Sequence, residues 1–149
     1  MTGMKSCVLT ALLLLALTGS GQTAELTVIV SGLRSGSGIL RVALFESAKG
    51  FPGDATRALA RQALDLTAHP KGQPVTLIFK NLPEKKYAVS LFHDEDGDGK
   101  LKTSWLGKPR EGIGTSNNHT RRLGWPEFEP ASFELRGSQT ISVVVSYEP

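Results

Sequence analysis

The stretch VTLIFKNLPEKKYAVSLFHDEDGDG, residues 75–99, decides the fold. Val75, Leu77 and Phe79 recur at every second position, and so do Tyr87, Val89 and Leu91. A strand turns successive side chains to opposite faces, so an apolar period of two predicts half-buried strands. Asn81-Leu82-Pro83-Glu84-Lys85 reads as the turn between them. The second run ends in an acidic knot, Asp94-Glu95-Asp96-Gly97-Asp98-Gly99, where a long Gly- and Asn-rich loop begins.

Upstream, Leu26, Val28 and Val30 predict a strand over 25–33, and Leu40, Val42 and Leu44 another over 39–46. The Gly/Ser turn at 34–38 predicts that these two pair as a hairpin. Asp54 is placed to cap a short helix reaching Leu59, because a carboxylate accepts the free N–H groups of a first turn. Residues 60–68 fit both periods, and the expectation there is a short helix followed by a strand. Downstream, Ala131, Phe133 and Leu135 alternate, as do Ile141, Val143, Val145 and Tyr147.

No strand–helix alternation of the βαβ kind is visible. The expected fold is all-β, an antiparallel β-sandwich of about seven strands with one long loop and at most a short helix. Phe79, Val89, Leu91, Phe133 and Val143 are expected between the sheets. Tyr87, just past a turn, is placed to act as a tyrosine corner.

The first 24 residues read as a secretory signal peptide. Lys5 supplies the basic start, Val8 to Leu17 the apolar run, and small or polar residues follow, with cleavage after Ser20 or after Ala24. The apolar run is about half the ~20 residues needed to span a bilayer, and no transmembrane segment is expected in the mature chain. The expected location is therefore periplasmic or secreted. Residues 25–149 are then a single domain. Cys7, the only cysteine, lies at the start of the apolar run, so neither lipid anchoring nor a disulfide or thiolate site is expected. Losing Lys5 takes the formal charge from +3 to +2, a bias too weak to point to nucleic acid.

Asp94, Asp96 and Asp98 with Gly99 match alternate positions of a calcium loop, with the Lys100 carbonyl as a further ligand. Trp105 stands where such a loop has its closing Glu, so the expected calcium site is weak. The competing reading is a turn whose Asp side chains bond local N–H groups. Lys100, Lys102, Lys108, Arg110, Arg121 and Arg122 make a basic rim facing the single acid Glu111. They suit either an anionic ligand or the nearby carboxylates. The glycines of 112–116 read as loop positions of positive φ. Asn117 and Asn118 are expected to fasten the loop through side-chain bonds to backbone. Trp105, Trp125, Phe92 and Phe128 are expected to pin the loop as a satellite core, with a carbohydrate or peptide platform as the alternative. His93, His119 and a carboxylate have no compact zinc spacing, and no nucleophile elbow is present.

One set of residues resembles a known family. Asn81-Leu82-Pro83, Tyr87-Ala88-Val89 and His93-Asp94 resemble the bacterial domain of unknown function 2141 family. So does the run Gly107, Pro109, Glu111, Gly112, Gly114, Ser116, Asn117 and Asn118, followed by Pro126, Phe128, Ala131 and Phe133. The resemblance covers nearly all of the mature chain. It implies export and a transthyretin- or prealbumin-like β-sandwich, and it names no substrate. Lys85 departs from the family's Gly, and Asp96 and Asp98 stand where the family tends to carry Asn. The combined expectation is an exported, non-catalytic binding or structural module whose partner is an unidentified protein or small molecule. The alternative is an enzyme or ligand-binding protein that uses the 93–126 loop as its site.

Overall fold

The computed structural model describes residues 21–121 and 123–147; the expected signal segment up to residue 20 lies outside them. Eight strands are present among the described residues: β1 (Thr23–Ser31), β2 (Ile39–Phe45), β3 (Ala60–Asp65), β4 (Val75–Pro83), β5 (Lys86–Asp94), β6 (Gly112–Thr115), β7 (Phe133–Glu134) and β8 (Gln139–Val144). Among the same residues helix is confined to one turn of α-helix, α1 (Phe128–Ala131), and two 3-10 turns, Ala55–Arg57 and Ser116–Asn118.

The strands form two sheets. The smaller has the order β4-β1-β8, with β1 antiparallel to β4 and parallel to β8. The larger has the order β3-β2-β5-β6, all antiparallel, and β7 pairs with the start of β5. The inner faces carry the alternating residues: Leu26, Val28 and Val30 of β1, Leu40, Val42 and Leu44 of β2, and Tyr87, Val89 and Leu91 of β5. Phe79, Val89, Leu91 and Val143 are buried as expected, and Phe133 is half-buried against the same core. The fold is the all-β sandwich that the period of two predicts.

Five expectations need correction. β1 and β2 do not pair as a hairpin; the 32–38 turn carries the chain from one sheet to the other. Both strands turn every second residue to the shared core, so alternation is blind to which partner a strand takes. Residues 60–65 are strand from the first residue, because Ala60 and Leu64 face the core while Arg61 and Ala63 face out. The turn expected at 81–85 comes later: β4 runs on to Pro83 through a bulge at which Asn81 takes φ 57°. Ala131 belongs to α1, leaving β7 only two residues long. The last correction is β6, which the sequence reads as loop.

β6 depends on closeness. Its glycines do not serve positive φ; neither Gly112 nor Gly114 is a positive-φ residue. Instead a Cβ on Gly112 would stand 2.5 Å from Val145 Cγ1, and one on Gly114 would stand 2.9 Å from Val143 Cγ1. The strand therefore lies against the end of the opposite sheet, where only hydrogen fits. The bridge between Ile113 and Ser146 ties the two sheets together at this corner.

Candidate functional site

The outer face of the larger sheet is where side chains of different chemistry converge. Two cross-strand rows form its middle. One runs Arg61–Ala43–Ser90–Thr115 across β3, β2, β5 and β6, and the other Ala63–Arg41–Phe92–Ile113. Ala43, Ala63 and Ser90 are small, so the sheet surface is low at its centre. Loops rise around it: Pro52–Gly53 on one side, Gly99–Leu101 on another, and Trp125–Pro126 above. The result is a groove of about 710 Å³.

Each wall is held by identifiable bonds. Ser90 Oγ donates to the Pro52 carbonyl at 2.7 Å, fastening the first loop to the floor. Phe51 stacks edge-on between Phe45 and Phe128, at centroid distances of 5.4 and 5.8 Å. This second cluster, with Ala43, Ala88 and Ala131, covers one end of the outer face. Of the four aromatic residues expected in a satellite core only Phe128 belongs to it; Trp105 is 89% exposed, and Trp125 and Phe92 line the groove instead. Asn117 Nδ2 donates to the carbonyls of Pro130 and Ser132, and Asn118 Oδ1 accepts from Val144 N, so both asparagines fasten the loop as expected. Ser116, fully buried, accepts from Val89 N and donates to the Ala131 carbonyl.

The Gly99–Leu101 wall follows on from the acidic knot, whose carboxylates are not part of the lining. Asp94 is fully buried, and its Oδ2 accepts from Arg41 Nε at 2.6 Å and Gly99 N at 3.0 Å. Gly99 takes φ 80°, the sharp turn the sequence predicts at this position. Glu111, also buried, reaches back to accept from Glu95 N at 2.9 Å and Lys102 N at 3.0 Å. Asp98 accepts from Lys100 N at 2.8 Å in a local turn. Asp96 pairs with Lys102, whose ammonium holds the Asp96 carboxyl below the usual range. Of the residues singled out in the sequence, Asp94 and Asp96 come together with Glu111, and the side chain of Asp98 turns to its own backbone.

His93 lies on the opposite face of β5 from Asp94. Its Nε2 is 2.7 Å from the Ser37 carbonyl and its Nδ1 is 2.7 Å from the Tyr147 hydroxyl. Both ring nitrogens are thus committed to the corner between the sheets. Arg34 lies 4.4 Å from the centre of the Tyr147 ring and pairs with Glu95. Burial pushes the Tyr147 hydroxyl above its ordinary pKa.

Charge in the groove has one sign. Among the described residues its lining includes Arg41, Arg61 and Lys100 and no carboxylate. Arg41 is tied to Asp94, while Arg61 and Lys100 have no ion pair among the described residues. The apolar part comes from Phe92, Leu101, Ile113, Trp125 and Pro126. The groove is not legible in the sequence, because Arg61 and Ala63 fall in a segment whose pattern fits helix as well as strand. Of the expected basic rim, only Lys100 among the described residues lines it; Lys102 and Arg121 pair with Asp96 and Glu127, and Arg122 lies outside the described residues.

No helix among the described residues is long and apolar enough to cross a membrane. Neither a curated protein nor a solved structure matches the chain. A family model described as "Uncharacterized protein conserved in bacteria (DUF2141)" matches residues 28–142.

Proposed function

The chain belongs to the bacterial DUF2141 family, and on that premise we propose that it is an exported, non-catalytic module that binds a small amphipathic anion in the groove on its outer face. The observation that carries this reading is the composition of the lining: three cations, no acid, and a floor and rim of aromatic and aliphatic side chains. An anion is attracted by Arg61 and Lys100, and its apolar body is desolvated against Phe92, Ile113 and Trp125. Pockets of this kind combine mostly apolar walls with a few polar groups that orient the ligand. The Arg61 guanidinium suits a carboxylate or sulfonate, to which it presents two parallel donors.

A binding role is favoured over an enzyme by what the lining holds. Acid–base or nucleophilic chemistry needs convergent titratable groups near the operating pH. Among the described residues the groove offers Arg, Lys, Gln, Ser and Thr side chains, without a His, Asp, Glu or Cys beside the hydroxyls. His93, the histidine nearest in sequence, is bonded on the inner face of the same strand.

The test uses three naphthalenes that share a ring system and differ in charge: 2-naphthoate, 2-naphthol and 2-naphthylmethylammonium. Titration calorimetry on the mature protein is expected to show binding of the naphthoate alone, weakened by Arg61→Ala and by Lys100→Ala. Filling the floor with Ala63→Leu is expected to abolish it. Equal binding of the neutral and anionic compounds, or an Ala63→Leu variant that binds like the wild type, overturns the reading.

A further inference from the structure

We propose that Asp94, Asp96 and Glu111 form a site for a hard divalent cation, calcium by its ligand chemistry, that braces the Gly99–Leu101 wall of the groove. Each of the three offers a carboxylate oxygen, and these oxygens lie within 4.8 Å of one another. Two ligands on opposite sides of a calcium ion, each at about 2.3–2.6 Å, stand about 4.6–5.2 Å apart. The three oxygens are thus spaced to share one ion with little movement.

The acids alone would not carry this inference. A second observation does: Asp94 Oδ1 is buried and has no hydrogen-bond partner among the described residues, although its twin Oδ2 has two. A buried polar atom left without a partner is costly, and the cost rises when it belongs to a charged group. A cation between Asp94, Asp96 and Glu111 supplies the missing partner. It also offsets the mutual repulsion of three gathered carboxylates, which Arg41 and Lys102 offset only in part.

The ligand set differs from the one that local spacing suggests. Glu111 enters from the far side of the long loop, carried there by the start of β6. Its two oxygens already accept from Glu95 N and Lys102 N, but a carboxylate has about four lone-pair positions, so ligation and these bonds are compatible. Asp98 is outside the group, bonded to Lys100 N. Lys102 must leave Asp96 for the ion to enter. Their side chains are 50% and 41% exposed, and such surface pairs hold weakly. All donors are oxygen, and the site lacks nitrogen or sulfur ligands. This favours calcium or magnesium over transition metals. The flexible geometry and the water needed to complete the shell favour calcium.

The consequence for the groove is direct. Residues 95–101 connect Asp96 to Gly99, Lys100 and Leu101 of the groove wall, and Asp94 holds Arg41 on the floor. An ion at Asp94, Asp96 and Glu111 fixes that connection at both ends.

The experiment is a calcium titration of the mature protein without organic ligand, followed by calorimetry and thermal melting at constant ionic strength. The wild type is expected to bind one calcium at about 10⁻⁴–10⁻³ M, in the range of extracellular modules, and to melt higher as the ion is added. Asp96→Asn, on the exposed side of the site, is expected to weaken binding at least about tenfold and to abolish the melting shift while the apo protein stays folded. Asp98→Asn is expected to bind like the wild type. Glu111→Gln is expected to lose the ion too, with circular dichroism reporting whether the variant keeps its fold. An unchanged melting temperature at about 10 mM calcium, ten times the weakest affinity expected of such a site, overturns the proposal. So does a shift that persists in Asp96→Asn and disappears in Asp98→Asn.

Discussion

Gly112 lies so close to the Tyr147 ring that no side chain fits between them. Tyr147 in turn bonds His93 through its hydroxyl, and Arg34 lies over its ring. One missing methyl group thus lets β6, the end of the smaller sheet and the end of β5 share a corner. Gly112→Ala is expected to destabilise the protein by about 1–3 kcal/mol, the usual cost of forcing an extra carbon into a packed site. Urea denaturation reads it directly. A midpoint within error of the wild type would show that β6 is free to move away.

Ser116 makes a matching test on the other side of β6. Its hydroxyl accepts from Val89 N at 2.9 Å, and Val89 is an interior residue of the central strand. Ser116→Ala leaves that buried N–H and the Ala131 carbonyl without their partner. The expected loss is about 1–3 kcal/mol. Ser116→Thr keeps the hydroxyl but adds a methyl to a fully buried position, so it is expected to be destabilising as well. Hydrogen exchange at Val89 N distinguishes the two, faster in the alanine variant and slow in the threonine one.

Glu95 sets part of the acid limb. The hydrogen bond from Arg34 holds its carboxyl below the usual range, against a smaller upward push from burial. Its folded pKa is thus lower than the ~4.3 of an unfolded glutamate. The stability it contributes is fully present above that value and is lost as pH falls through the folded one. Arg34 and Glu95 are 47% and 25% exposed, so solvent screening keeps the effect under about 1 kcal/mol. Melts of wild type and Glu95→Gln are expected to converge as pH falls from about 5 toward 3, and adding salt is expected to narrow the difference at pH 7. Parallel curves would assign acid sensitivity to other carboxyls.

The start of the mature chain is open to the same kind of argument. Thr23 pairs with Pro83 and Ala24 with Leu82, and Ala24 is buried in the core. We expect export to leave Gly21 as the first residue, because a cut after Ala24 discards the beginning of β1. N-terminal sequencing of the protein from the host envelope or medium checks this, and a first residue of Glu25 would refute it. A chain made to start at Glu25 is expected to be less stable by about 1 kcal/mol, through the lost burial and ladder bonds.

Much was determined by the sequence alone. Local chemistry was legible where a residue's partner is close in the chain. The apolar period of two predicted β1, β2, β4, β5 and β8 and the core they build. Asp54 caps its 3-10 turn by accepting from Thr56 N, and Tyr87 donates to the Pro83 carbonyl at 2.9 Å as a tyrosine corner. Asn117 and Asn118 fasten the loop from positions of positive φ. Pairing was decided by tertiary structure, since alternation records which face of a strand is buried and carries no address for its neighbour. That is why β1 and β2 part into different sheets. It is also why the glycines of β6 looked like loop: what forbids a side chain there is Val143, Val145 and Tyr147, which approach from the opposite sheet. The meeting of Asp94 with Glu111, and of Arg61 with Trp125 around one groove, rests on the same cause. Contacts between residues far apart in the chain arise from packing the two sheets and their loops, and no local pattern encodes them.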